Sequence, residues 1–352
     1  MKRIRVIAFL AASGLAACLA ACGGSAPAAS SPAAPAGGLS VDQIYTAAKT
    51  EGQLAYFAPT PPDVIKQMID AFGKKYPGVK VNYTDLTAEQ TVERIITESK
   101  TGKGSIDISQ ASLASMLPLV DRNLIAKPDW KALGVRDDQV IANGLAATYY
   151  QLPDTVVYNA SLVKPADAPM AWEDLLKPQW KGGKMLLDSR GHFIEHLGFV
   201  WGEDRLLQFA RDLKAQQPLL IPRMVDGIQR VAAGEAPLAT VSVQNMLDFQ
   251  AKGAPVELTA LTPIDASTFA MYMLEGAPHP NAARLFLSWA LSPDGRALFE
   301  KVGHYGMAQP GSGTQVGKLL EDHQINIWSA QTPQQARDQD KFSAEIQKIF
   351  TG

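Results

Sequence analysis

The sequence predicts an α/β protein of two lobes, each a mainly parallel sheet flanked by helices, joined by two hinge strands. Three observations carry this. Strand and helix patterns alternate before residue 120 and again between 185 and 258, the rhythm of parallel sheets covered by helices. Between the two series lies an extended stretch, Gly144–Asn159, rich in β-branched and aromatic residues. A second extended run, Ser267–Leu274, returns the chain to a helical tail.

The chain begins with Lys2, Arg3 and Arg5, then an apolar run Val6–Leu19 too short to span a bilayer comfortably. Leu19-Ala20-Ala21-Cys22 looks like a bacterial lipobox, so 1–21 is read as a signal peptide and Cys22 as the lipidated residue. Residues 22–38, almost wholly Gly, Ala, Ser and Pro, read as a flexible tether. The expected location is periplasmic, or the outer face of the cytoplasmic membrane, with a lipid anchor. The two cysteines are Cys18 and Cys22, so the body holds neither a disulfide nor a thiolate site. About 310 residues remain from Leu39, more than one core usually holds. The predicted lobes are 39–152 plus 264–352, and 153–263. Lys and Arg number 33 against 35 Asp and Glu, with no basic stripe, which argues against nucleic acid. No cofactor is implied, and a monomer is expected.

In order, Val41–Thr50 is a helix stopped by Glu51-Gly52, and Leu54–Phe57 suits a buried strand. Thr60-Pro61-Pro62-Asp63 carries helix-start chemistry, with Thr60 as hydroxyl cap. Val64, Ile65, Met68, Ile69, Phe72 and Tyr76 give the helix one apolar face. Val79, Val81 and Tyr83 alternate as a strand, and Thr87 caps a helix bearing Val92, Ile95 and Ile96. Ile106–Ile108 is a third strand, with Ser109–Ser112 starting a helix. The crossing reads as two short strands, Ala146–Leu152 and Thr155–Tyr158, broken at Pro153-Asp154. Beyond it come a short helix Trp172–Leu176, a strand Met185–Leu187, and helical patterns over Phe193–Trp201, Arg205–Gln216 and Val225–Ala233. A strand Pro237–Val241, a helix Gln244–Lys252 and a strand Val256–Leu258 complete the second series. Helices over Pro280–Leu291, from Ser292 to Val302, and over Phe342–Phe350 finish the chain.

Several of these segments resemble family 1 extracellular solute-binding proteins, in particular the ferric-iron-binding type. They are Ala47–Gly52, Phe72-Gly-Lys-Lys-Tyr-Pro-Gly78, Thr155–Asn159, Lys252–Glu257 and Gly276–Gly295. The resemblance implies a type 2 periplasmic-binding-protein fold. It also implies a receptor that closes on a small solute and delivers it to an ABC permease in the inner membrane. Iron-binding members of the family use two adjacent tyrosines opening a helix of the second lobe. The matching position here is Gln244-Asn245, and an amide pair is a poor ligand for hard ferric ion. The expected cargo is therefore a small anionic organic solute, with ferric iron or an iron–anion complex as the alternative.

Ligands of open α/β sheets sit beyond the carboxyl ends of strands, where helix N-termini point free N–H groups outward. That rule selects Thr60, Gln110, Ser189, Arg190, His192, Gln244 and Asn245 as contacts. Arg190 is the principal anion fork, and its alternative is a pair with Asp188. Arg223 is a second positive candidate. Tyr149 and Tyr150 could line the hinge, although one of two adjacent strand residues should point away. The rival reading is an enzyme: His192-Phe-Ile-Glu195-His196 spells H-x-x-E-H, a zinc-peptidase motif if both histidines share a helix face. No metal site is otherwise expected.

Overall fold

Capping chemistry starts the first helices close to where the sequence places them. The structure, a computed structural model, describes residues 39–352; the expected signal peptide, tether and lipidated Cys22 lie outside the described residues. Ser40 and Gln43 close a capping box on α1 (Val41–Glu51), and Gly52 ends it at φ 73°. β1 (Gln53–Ala58), α2 (Pro62–Lys75), β2 (Lys80–Asp85), α3 (Ala88–Ser99), β3 (Ile108–Ser112) and α4 (Leu113–Val120) follow. Thr87 caps α3 as expected, but the residue before α2 is Pro61, which leaves Thr60 outside the cap. Ser109–Ser112 continues β3 instead of starting a helix. Ser112, accepting from the Ser115 N–H, is the cap of α4.

β4 (Val140–Ile141) pairs with the start of β5 (Ala146–Asn159), which is one strand of 14 residues and not two. Its first part pairs with β10 (Ile264–Met273), and its last part with β8 (Leu238–Ser242). Pro153 falls where β5 changes partner, so its missing N–H costs the ladder least there. β6 (Met185–Asp188), α5 (Leu197–Trp201), α6 (Glu203–Ala215), β7 (Leu219–Ile221) and α7 (Met224–Ala232) precede β8. α8 (Val243–Gln250) and β9 (Val256–Leu258) follow it, and β9 pairs with β5. After β10 come α9 (Pro280–Ala290), α10 (Pro293–Gly303), α11 (Gln315–Asp322), β11 (Ile327–Trp328) and α12 (Pro333–Thr351). The helical pattern expected over Phe193–Trp201 is helix only from Leu197; His192–His196 is a run of turns.

The strands form one continuous sheet in the order β2-β1-β3-β10-β5-β8-β6-β7, with β4 and β9 on β5 and β11 on β10. β1, β2 and β3 run parallel in one half, and β6, β7 and β8 run parallel in the other. The antiparallel β5 and β10 belong to both halves, which fuses them into a single sheet.

Cores form on each side of this seam. In the first half Phe72 meets Tyr76, Phe286 and Trp289 at ring distances of 5.0–5.4 Å. In the second, Val156, Trp172, Leu186, Phe193 and Leu213 pack together, joined by Ala308, Leu320, Phe342 and Ile346 from the end of the chain. Among the described residues no helix is long and apolar enough to cross a membrane.

Candidate functional site

Side chains of a strand alternate between faces, and this sorts the seam into a covered and a partly covered side. Gln151, Pro153 and Thr155 face one way, opposite Ala266 and Thr268. All five are buried. Gln151 donates to Thr268 and Ser329 and accepts from the Ala308 N–H. Tyr150, Leu152 and Asp154 face the other way, opposite Phe269, Ser267 and Asp265. Leu152, Asp154, Ser267 and Phe269 are only half-buried there. This second face is the floor of the candidate site, and Phe269 stacks on Tyr150 at 4.7 Å and 6°.

The adjacent tyrosines do not divide between faces. A β-bulge shifts the register so that Phe269 opposes Tyr150 and Ala270 opposes Thr148, leaving Tyr149 unpaired. Both rings consequently pack on Phe299, at 4.4 and 5.6 Å. Tyr149 lies beneath that ring, buried, and borders a cavity of about 610 Å³ near Arg296 and Tyr305 instead of the floor.

The first-half wall is neutral and closed. Gln110 lies on the floor's side of the sheet, opposite Met271. Its oxygen accepts from the Tyr56 hydroxyl, and its amide donates to Thr60 Oγ1 at 2.8 Å. Tyr83 accepts from the Thr60 N–H and donates to the carbonyls of Ala58 and Thr60. Burial pushes the Tyr83 phenol up to about 12. Thr60 and Gln110 are therefore brought together, as network members below the surface.

The second-half wall is charged. Ser242, opposite Asp154, caps α8 by accepting from the Asn245 N–H. Gln244 and Asn245 sit in that first turn, half-buried, with side chains that have no partner among the described residues. The turn after β6 carries Ser189, Arg190 and His192 together. The Ser189 N–H donates to the Ile221 carbonyl. Arg190 donates from Nε to Asp188 Oδ1 at 3.0 Å, with Asp188 fully buried and the arginine side chain 44% exposed. The two terminal nitrogens of Arg190, and the backbone N–H groups of Arg190 and His192, have no acceptor among the described residues. Gly191, at φ 78°, is pressed against Ile346 of α12 where any Cβ would collide. Ser343 of the same helix donates to the Arg190 carbonyl.

Sequence reasoning had Asp188 as a partner of Arg190 and Glu195 in the H-x-x-E-H run, but missed Asp154 and Asp265 beside this turn. Asp154, Asp188, Glu195 and Asp265 gather on Arg190 and His192. Burial pushes Asp154 up to about 7, opposed by His192 and aided by Asp188 and Glu195. Asp265 is raised well above its ordinary value, again chiefly by burial. The only sequence signal was Asp154 beside Pro153, read as a turn.

Two expected features take other roles. Arg223 is exposed and pairs with Asp226 three residues on, so the second positive contact is a solvated ion pair. The H-x-x-E-H run does not present two histidines on one helix face. His192 Nδ1 meets Glu195 at 3.0 Å, whereas His196 is buried with Nε2 on the Pro263 carbonyl and its ring against Trp172. Burial pushes His196 down to about 4. Among the described residues no group of three or more His, Cys, Asp or Glu side chains is placed to hold a metal ion.

A sheet whose two parallel halves share a pair of long antiparallel strands, with facing strand ends on one floor, defines the type 2 periplasmic-binding-protein class. Residues 53–305 match the family described as bacterial extracellular solute-binding protein. The chain belongs to that family, which is one of binding proteins and not of enzymes. An uncharacterized protein of Haemophilus influenzae is 26% identical over 145 residues, covering 39% of this chain and 41% of that one. An ABC transporter substrate-binding protein from Bradyrhizobium japonicum superposes with a TM-score of 0.66 at 16% identity, over 84% of this chain and 99% of that one. A Trichodesmium protein (IdiA, FutA) in complex with iron and citrate superposes with a TM-score of 0.68 at 18% identity, over 85% and 98%.

Proposed function

We propose that this solute-binding protein captures a small anionic organic solute over the floor of Tyr150, Leu152, Asp154, Ser267 and Phe269, and delivers it to the permease of an ABC importer. One observation carries the anionic class. Arg190 is gripped at Nε by buried Asp188, and its two terminal nitrogens, without a partner among the described residues, form a fork for paired oxygens. The unpaired N–H groups of Arg190 and His192 add donors beside that fork.

The halves act as two lobes that close about β5 and β10. The expected bounds, 39–152 plus 264–352 and 153–263, do not hold for the tail, because Ala308, Leu320, Phe342 and Ile346 pack in the second-half core. Solute touching both sides favours the closed state through its differential affinity. Cys22 carries the lipid that holds the protein at the membrane, and the protein works as a monomer. Gln244 and Asn245, where iron binders carry tyrosines, argue against ferric ion as cargo.

A thermal-shift screen of the purified protein tests this. Carboxylates, phosphonates and sulfonates are compared with polyamines, ferric citrate and zinc, since a ligand of the folded form raises the melting temperature by mass action. A shift with organic anions that disappears in Arg190→Ala supports the reading. A shift confined to ferric ion overturns the cargo class.

A further inference from the structure

The carboxylates around Arg190 outnumber the positive charges that meet them. Asp154 makes no side-chain hydrogen bond among the described residues, although it is half-buried on the floor. Directly opposite it on the same face, Asp265 is 1% exposed; Oδ1 accepts from Gln339 of α12, while Oδ2 has no partner. Asp188 Oδ2 is likewise buried without a partner. The positive groups nearby are already engaged: Arg190 by Asp188 and His192 by Glu195. Asp340 of α12 also faces His192 and adds a further acid.

A buried carboxylate oxygen with no hydrogen bond is expensive, and such groups are met by a proton or by a cation. A bare metal ion does not fit, because too few ligating side chains are placed around one point. A polycation does not fit either, because the free fork of Arg190 lies beside the acids and would repel it.

Given the anionic head proposed above, on which this inference rests, we propose that the solute is zwitterionic: its acid group lies on Arg190 and an ammonium group lies on Asp154, against Asp265. The ammonium supplies the donors that Asp154 and Asp265 Oδ2 lack, and the acid group supplies the oxygens that Arg190 lacks. The half-buried faces of Leu152 and Phe269 are left for the short carbon chain between the two charges. Asp154 is thus a specificity residue, selecting amino acids in the broad chemical sense from plain acids of the same length. Burial is the main cause of the upward shift of the Asp154 and Asp265 carboxyls, and the neighbouring carboxylates add to it.

Calorimetry with matched pairs tests this: 4-aminobutanoate against butanoate, 3-aminopropylphosphonate against propylphosphonate, and 2-aminoethanesulfonate against ethanesulfonate. 1,4-Diaminobutane serves as a cation without an acid. In at least one pair the amino member is expected to bind at least about tenfold more tightly, as a hydrogen bond to a charged group implies. Asp154→Asn should abolish that gap, by bringing the amino member's affinity to that of the plain acid, and Asp265→Asn should narrow it. Both replacements keep shape, and their melting temperatures at pH 5.5 report whether the fold is intact.

Equal affinity within every pair overturns the zwitterion but leaves the anionic reading standing. A gap that survives Asp154→Asn in a folded protein overturns the assignment to Asp154. Binding of diaminobutane with no binding of any acid overturns both readings.

Discussion

The two walls of the candidate site solve the same problem in opposite ways. On the first-half wall, Tyr56, Gln110, Thr60 and Tyr83 satisfy one another, and every polar atom used is neutral. Around Arg190 the groups are charged, and carboxylate oxygens of Asp188 and Asp265 have no partners among the described residues. A closed network rigidifies whatever surrounds it, whereas an incomplete one stores a cost that a ligand can relieve. The contrast shows that polarity alone does not mark a binding surface. What marks it is charge that the protein does not finish by itself.

The comparison breaks most visibly at Arg190. Arg190→Ala should weaken binding of an organic anion by about 1.5–3 kcal/mol. It should also lower stability, by up to about 3 kcal/mol after allowing for the partial exposure of Arg190, because Asp188 is left buried and unpaired. Adding Asp188→Asn should restore the melting temperature but not the binding. If the double variant binds as well as the parent, Arg190 serves Asp188 alone.

Gln110→Leu tests the closed wall. It leaves the Tyr56 hydroxyl and Thr60 Oγ1 without their partner and should cost about 1–3 kcal/mol in denaturant unfolding. No ligand should recover more of that loss than it stabilises the parent.

A pH series sharpens the unfinished side. Asp154 is held at about 7, above its ordinary 3.8, so between those values the folded protein binds more protons than the unfolded one. Its contribution therefore falls as pH rises through that window. Asp154→Asn removes this loss, and its melting temperature should exceed the parent's by a margin that grows from pH 5 to pH 8. A constant margin would mean that Asp154 is ionised throughout. The smallest effect belongs to Arg223→Ala, where an exposed pair is lost: stability and solute affinity should stay within about 0.5 kcal/mol.

The sequence made the α/β alternation and most helix starts legible, because caps such as Ser40, Thr87 and Ser292 act within four residues. Strand pairing is not local. The Pro153-Asp154 dipeptide carries every sign of a turn, yet exchange of partners between β10 and β8 holds it inside one strand. The bulge at Tyr149 is invisible for the same reason, since it exists only relative to β10. At the site, Arg190 was legible as a charged residue after a strand. Asp265 was not, because it lies 111 positions from Asp154 and is brought opposite it only by the sheet.

The packing of the last segments has a consequence for how the protein comes off the ribosome. The second-half core contains Ala308, Leu320, Phe342, Ile346 and Phe350, and a first-half cluster draws on Ala330 and Ala336 of the same tail. A nascent chain therefore cannot complete either core while its tail is still inside the exit tunnel. Vectorial synthesis, which lets many proteins lock one domain before the next emerges, has nothing finished to lock here. The chain stays pliable until its final helix is released, and then both halves settle together.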